Sequence, residues 1–210
     1  GLALVFVWSA FFWGRGGAYF SLVLAGFSPN FLGHIPLATS DFSGAWTLVL
    51  AVFAFVHLTE TISPRNILGA GITAGIALLC KHSGIIIGPI ALIILMWRVL
   101  ERRPLNVRVP EMQIAAATPL AKLTSLLIAS AIACGISILV IWSAYSWRYL
   151  AANPAVGEFR QFQIAWDQLS GFSLQPVIEI FRQWKLLPEA FLYGLNFILS
   201  LESRGGFLNG

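Results

Sequence analysis

Leu123-Thr124-Ser125-Leu126-Leu127-Ile128-Ala129-Ser130-Ala131-Ile132-Ala133-Cys134-Gly135-Ile136-Ser137-Ile138-Leu139-Val140-Ile141-Trp142 contains no charged side chain. Its length, about 20 residues, is what an α-helix needs to cross a hydrocarbon core roughly 30 Å thick. The rest of the chain repeats the theme, with apolar runs at Leu2 to Phe12, Ala18 to Ile35, Ala45 to Leu58, Ile67 to Cys80 and Ile85 to Leu100. Over 210 residues the sequence is 58% hydrophobic and 10% charged, with mean hydropathy +0.80, whereas soluble domains carry about 25% charged residues. The charges also cluster between the apolar runs. The expected fold is all-α: a polytopic transmembrane helical bundle over residues 1–144 with about six spans, the first partial. An outer-face segment, 145–210, follows with amphipathic helices at Phe159 to Leu169 and Val177 to Leu187. The chain opens inside an apolar run at Gly1-Leu2-Ala3-Leu4, without a methionine or a cationic leader, so it reads as an internal piece of a longer protein.

The order of charges sets an expected orientation. Ile67 to Leu100 as one helix would be about 50 Å long, well beyond a bilayer core, so Lys81-His82-Ser83-Gly84 is expected to break it into a hairpin. Arg98, Arg102, Arg103, Arg108 and Lys122 fall in the short connection before the last span and place it on the cytoplasmic side by the positive-inside rule. With a hairpin at Lys81, Arg15 and Arg65 join them there. His34 to Asp41, Lys81-His82 and everything after Ser143 then lie on the outer face. Trp142, Tyr145, Trp147 and Tyr149 suit the interface at which that last span emerges.

Several function classes are excluded or weakened. The net charge is +4, but its Lys and Arg are scattered over loops, so nucleic acid is not an expected partner. Cys80 and Cys134 sit in apolar runs without metal or redox spacing and are expected to pack as small hydrophobes. There is no phosphate-cradling Gly-rich loop followed by Lys-Ser/Thr, and no Cys/His zinc pattern; no metal ligand set is expected. Gly71 and Gly75, like Gly84 and Gly88, have the spacing that lets helices approach closely. His57 and Glu60, one turn apart, are expected to form a solvated pair at a helix end.

Chemistry is sought among the ionisable residues at the outer edge. Ser28-Pro29-Asn30-Phe31-Leu32-Gly33-His34-Ile35-Pro36-Leu37-Ala38-Thr39-Ser40-Asp41 is a segment interrupted by two prolines and ending in polar groups. Backbone carbonyls freed by proline are tolerated at membrane depth only against protein or a watery cavity. Asp41 can cap the following helix or serve a site, and His34 can be a satisfied interfacial side chain or a ligand-binding one. Lys81 follows Gly75-Ile76-Ala77-Leu78-Leu79-Cys80, where an ammonium is costly unless paired or hydrated. A bound phosphate or a snorkel to water would satisfy it, and His82 beside it adds a donor.

Three stretches resemble the membrane glycosyltransferases of the protein O-mannosyltransferase type, glycosyltransferase family 39, of the GT-C fold. Ser28-Pro29-Asn30, His34 and Thr39-Ser40-Asp41 are similar to that family's Ser-Pro...His...Thr-Thr-Asp segment. Gly71 to Ser83 is similar to its Gly-x3-Gly-Leu-Ala-x-x-Thr-Lys segment, ending at Lys81. Leu187-Pro188-Glu189, Tyr193-Gly194 and Phe207-Leu208-Asn209-Gly210 are similar to the stretch that precedes its Gly-Trp-Trp-Tyr-Tyr-Phe motif. Ser40 stands for the second Thr and Cys80 where the family often has Thr.

The resemblance implies an enzyme that takes a sugar, of the mannose type, from a polyprenyl-phosphate carrier and transfers it to a protein or lipid acceptor on the outer or lumenal face. The lipid-linked donor is a substrate, and the resemblance leaves the cofactor unknown. Lys81 is the expected donor-phosphate contact, with His34, Asp41 and His82 shaping the cavity edge. The principal acidic catalytic residue is expected upstream of Gly1, so it is unknown here. Membrane lipid is the surrounding partner, in a bacterial or archaeal plasma membrane or the endoplasmic reticulum. Two competing readings remain at this stage: a secondary transporter, whose broken helices would also explain Pro29, Pro36 and Lys81, and a noncatalytic membrane subunit.

Overall fold

The computed structural model describes residues 2–34, 40–109, 112–151, 162, 164, 166–169 and 175–203. They form α1 (Leu2–Gly26), α2 (Pro29–His34), α3 (Ser40–Glu60), β1 (Thr61–Ile62), α4 (Pro64–Cys80), α5 (Ile87–Leu100), β2 (Leu105–Val109), β3 (Met112–Ala116), α6 (Pro119–Ala144), α7 (Gln175–Gln183) and α8 (Glu189–Ser203), with a 3₁₀ turn at His82–Ile86. Among the described residues three segments are long and apolar enough to cross a membrane: Asp41–Glu60, His82–Leu100 and Pro119–Ala144. The fold is an all-α membrane bundle. The chain divides into two compact units, Gly1–Ser137 and Ile138–Gly210.

In the first unit, helix boundaries follow local chemistry. Ser63 caps α4 by accepting from the Asn66 amide at 3.2 Å, and Pro64 occupies the first helical position. Thr118 accepts from the Ala121 amide at 3.2 Å ahead of Pro119 in the same way. A hydroxyl cap satisfies an amide that the helix cannot, and proline there loses nothing because its missing donor would be an orphan. The apolar run Leu2 to Phe12 and the first half of the run Ala18 to Ile35 fall in α1, whose two arms meet at Gly14. There φ is 70° and ψ −172°, outside helical geometry. Glycine adopts that backbone without the Cβ clash other residues would meet.

The break at Lys81 is present. Lys81 is extended, with φ −157° and ψ 132°, and the Gly84 amide closes the following turn on the Lys81 carbonyl at 2.8 Å. A Cβ on Gly84 would lie 2.7 Å from the Ala77 oxygen, so only glycine lets the chain fold back here. The opposite ends of the helices are tied together: β1, between α3 and α4, pairs in parallel with β2, which follows α5, with Thr61 opposite Asn106 and Ile62 opposite Val107. α4 and α5 therefore run antiparallel, with Lys81 at one end and the sheet at the other. β3 completes the sheet in antiparallel register, Leu105 opposite Ala116 and Val109 opposite Met112.

That small sheet is an element the helical reading omitted. Leu105-Asn106-Val107-Arg108-Val109 alternates apolar and polar residues with period two, which is the signal of a half-buried strand. Arg98, read from sequence as one of several topology charges, is 5% exposed. Its Nε donates to the Thr59 carbonyl at 2.9 Å, and its terminal nitrogens donate to Glu101, Arg103 and Pro104 oxygens at 3.1, 3.0 and 2.9 Å. Lys122, also buried, donates to the Glu101 carbonyl. These two cations collect carbonyls left over at the ends of α3 and α5. The core beside them joins Phe55, Leu58, Leu95, Leu105, Leu126 and neighbouring alanines.

His57 also differs from expectation. Its ring packs against Phe11 and Phe53, with centroids 4.6 and 4.4 Å away, while Glu60 is exposed. Phe11 comes from a distant part of the chain, and an aromatic edge contact displaces the solvated pair.

In the second unit, the ends of α6 and α7 share one device. Trp147 donates to the Trp142 carbonyl and Ser146 to Ser143; likewise Leu186 donates to Phe181 and Lys185 to Arg182. This paired pattern is the Schellman closure, which requires a left-handed residue after the helix. Ser146 and Lys185 supply it, with φ of 52° and 50°. Trp142 Nε1 donates to the Leu186 carbonyl at 3.0 Å, joining the two closures. Tyr149 donates to the Arg182 carbonyl at 3.1 Å; burial first, and the Glu189 carboxylate second, push its phenol above the usual 10.0 and keep it a donor. α7 presents Val177 and Ile180 outward and buries Ile178, and Trp184 is exposed just beyond its end. Of the other expected amphipathic helix, Phe159 to Leu169, positions 159–161, 163 and 165 lie outside the described residues. Trp166–Gln168 is a 3₁₀ turn.

Candidate functional site

Two residues singled out in the sequence, 40 positions apart, meet at the Lys81 end of the first unit. Lys81 Nζ and Asp41 Oδ1 form an ion pair. Asp41 stands in the first turn of α3, where the unpaired amides favour a carboxylate. Lys81 stands where α4 has ended and its side chain can leave the apolar helix surface. Neither group is withdrawn from solvent: the lysine side chain is 40% exposed and the aspartate 71%.

The lysine stem is held as well as its charge. A Cβ built on Gly44, one turn beyond Asp41 on α3, would lie 3.1 Å from Lys81 Cβ and 3.3 Å from its Cδ. The aliphatic stem therefore lies across Gly44, and a larger residue there would push it aside. Sequence reasoning missed Gly44. The available signal was its spacing of three from Asp41, which places both on one helical face.

The other candidates are placed only in part. His82 opens the 3₁₀ turn directly after Lys81 and is half-buried. His34 closes α2, and its side chain lies outside the described residues. The segment 35–39, with Pro36 and Thr39, lies outside them too. The structure thus joins Lys81, Asp41 and the newly recognised Gly44. Among the described residues no group of three or more His, Cys, Asp or Glu side chains is placed to hold a metal ion.

Chemically, the arrangement presents a cation at the end of apolar helices, oriented by a carboxylate and reachable from water. An ammonium has three donors. Asp41 engages one, and the exposure of the side chain leaves room for an anionic oxygen to engage another. Within the same unit, residues of α3, α4, α5 and α6 line an open apolar groove of about 570 Å³.

The sequence of residues 1–123 matches the family of dolichyl-phosphate-mannose-protein mannosyltransferases. The chain belongs to this family. No curated protein and no solved structure matches it. As a member of the family, it is an integral membrane protein of the mannosyltransferase class, which works with a lipid-linked sugar donor and an acceptor.

Proposed function

We propose that this protein transfers a mannose-type sugar from a polyprenyl-phosphate carrier to a protein or lipid hydroxyl at the outer face of its membrane, and that Lys81 holds the donor phosphate there. The observation that carries the reading is the exposed Lys81–Asp41 pair at the end of an apolar hairpin, in a chain whose family takes a dolichyl-phosphate-linked mannose. Residues 1–144 form the membrane region in this reading, and 145–210 lie at the outer face.

Each group has a distinct task. Transfer cleaves the bond between the sugar's anomeric carbon and a phosphate oxygen, so negative charge builds on the departing phosphate, and a cation fixed beside it stabilises that charge. Lys81 supplies the cation. Asp41 is a positioning residue: by holding one ammonium hydrogen it aims the others, and Gly44 gives the stem room to lie flat. His34 and His82 are the further candidates for the edge of the donor site in this reading. Asp41 is not assigned as the base that deprotonates the acceptor, because its carboxylate is engaged with the Lys81 ammonium.

The reading is tested by incubating membranes containing the protein with polyprenyl-phosphate mannose and, separately, with a mannose nucleotide, offering peptide and lipid acceptors. Transfer from the lipid-linked donor alone is expected. Transfer from the nucleotide in membranes free of polyprenyl phosphate would overturn it.

A further inference from the structure

A cavity of about 260 Å³ opens in the second unit where α6 ends, lined by Tyr145, Ser146, Arg148, Tyr149 and Leu150 and by Ala190 of α8. The backbone builds it. Ser146 and Trp147 are consecutive left-handed residues, with φ of 52° and 59°, a conformation that is costly for any residue with a Cβ. They turn the chain back on the helix, so that the Arg148 amide donates to the Tyr145 carbonyl at 3.1 Å. The Glu189 amide then donates to the Tyr149 carbonyl at 2.9 Å, which sets the first turn of α8 alongside.

The polar groups in the lining are uncommitted. Arg148 is exposed and, among the described residues, takes part in no ion pair. The half-buried Tyr145 hydroxyl makes no hydrogen bond among the described residues, and burial raises its phenol above the usual 10.0, so that it is a donor at neutral pH. The Lys185 ammonium stands 5.3 Å from the Tyr149 ring centroid and adds a second cation. Of the carboxylates that act on Tyr149, Glu179 is paired with Arg182 at 3.8 Å, which leaves Glu189 against Arg148 and Lys185. The balance is positive, which favours an anion and disfavours a headgroup that ends in an ammonium.

The level of the cavity points to where the anion comes from. Trp142 and Trp147 stack with centroids 6.4 Å apart and planes 16° from parallel, at the end of a helix long and apolar enough to cross a membrane. Tryptophans at such an end sit among the lipid headgroups. Trp147 and Leu150, on either side of Arg148 in the chain, are exposed, and they offer apolar surface next to the cation. The volume is below the roughly 300 to 1,000 Å³ of a small-ligand pocket, enough for a headgroup but not for a whole lipid.

We propose that this cavity binds the phosphodiester of an anionic phospholipid, with Arg148 pairing with the phosphate oxygens, Tyr145 donating to one of them, and the acyl chains leaving over Leu150 and Trp147. The site uses none of the residues assigned to the sugar donor. It anchors the end of α6 and the start of α8 at the headgroup level.

The test titrates the full-length protein, purified in nonionic detergent and stripped of lipid, with dioctanoyl phosphatidylglycerol, counting bound lipid by native mass spectrometry. Arg148→Gln should weaken the tightest binding event roughly tenfold or more, as loss of a charge-assisted phosphate contact does. Tyr145→Phe, which removes one hydroxyl and keeps the ring, should weaken it about threefold. Arg102→Gln, at an exposed cation beyond α5, should leave it unchanged. Dioctanoyl phosphatidylcholine and glycerol phosphate should each bind several-fold more weakly than phosphatidylglycerol. Melting curves that match wild type for Tyr145→Phe separate a lost contact from a lost fold. Equal weakening by Arg102→Gln and Arg148→Gln would show only diffuse attraction to surface charge and would overturn the site, as would undiminished binding in both Arg148→Gln and Tyr145→Phe. Glycerol phosphate binding as tightly as the lipid would make this a pocket for a soluble anion, and phosphatidylcholine binding as tightly would remove the charge selection; either result contradicts the proposal.

Discussion

The Ser137 hydroxyl donates to the Gly71 carbonyl across 2.8 Å, and a Cβ on Gly71 would lie 2.6 Å from Ile136 Cβ and 2.7 Å from the Ala133 oxygen. α4 and α6 are thus in backbone contact at one glycine, and the close approach is what brings the serine within reach. Gly71→Ala should drive the helices apart and cost about 1 to 3 kcal/mol. Ser137→Ala, which removes only the hydrogen bond, should cost about 0.6 kcal/mol, the usual size of such a bond between membrane helices. Thermal denaturation in detergent compares the two. Equal losses would show that the hydrogen bond rather than the close packing dominates this contact.

Arg98 should be among the most sensitive positions for stability. Its guanidinium serves carbonyls of Thr59, Arg103 and Pro104 together with the Glu101 carboxylate while nearly inaccessible to water. Arg98→Ala leaves these acceptors in a closed environment and should destabilise by roughly 3 kcal/mol. Arg98→Lys should rescue only part, since an ammonium lacks the planar fork that reaches divergent oxygens. Full rescue by lysine, read from the same melting curves, would mean that charge alone matters.

Left-handed closure of α6 by a non-glycine residue carries strain that substitution can release. Ser146 has φ 52°, and the left-handed region costs an ordinary residue roughly 1 to 2 kcal/mol. Ser146→Gly should raise stability by about 1 kcal/mol once the extra freedom of glycine in the unfolded chain is subtracted. A lowered melting temperature would mean that the Ser146 side chain makes a compensating contact.

Much of the bundle is readable from sequence because a bilayer permits few solutions. Apolar runs of sufficient length become helices, and the Lys81-to-Gly84 break follows from a charge and a glycine after a run too long to continue. What escaped depends on partners remote in sequence. Arg98 looks like any loop cation until β2 and the end of α3 surround it, and His57 pairs with Phe11 because α1 lies alongside, which local spacing does not reveal. The strand at Leu105 was visible in its alternation but is short beside the helical signal around it. At the candidate site, orientation arguments placed Lys81 and Asp41 on one face. Their direct pairing, and Gly44 beneath the lysine stem, required coordinates.

The expected orientation is checked by accessibility. Single cysteines at Asn106, an exposed position on β2, and at Arg148, exposed beyond α6, introduced after Cys80 and Cys134 are replaced, should react with an impermeant maleimide from opposite sides of the membrane. Labelling of both from one side would move the Lys81 pair away from the face on which transfer is proposed.

The central claim is that the Lys81 ammonium, held by Asp41, contacts the donor phosphate. The most direct measurement is the dependence of sugar transfer on polyprenyl-phosphate mannose concentration for wild type, Lys81→Met and Asp41→Asn in membranes with matched protein levels. A charge-assisted phosphate contact is worth about 1.5 to 3 kcal/mol. Lys81→Met should therefore lower kcat/KM for the donor roughly ten- to a hundredfold while leaving acceptor KM unchanged, with Asp41→Asn showing a smaller loss in the same parameter. Unaltered donor kinetics in Lys81→Met would contradict the account and leave the lysine as a cation anchored at the membrane edge by Asp41 alone.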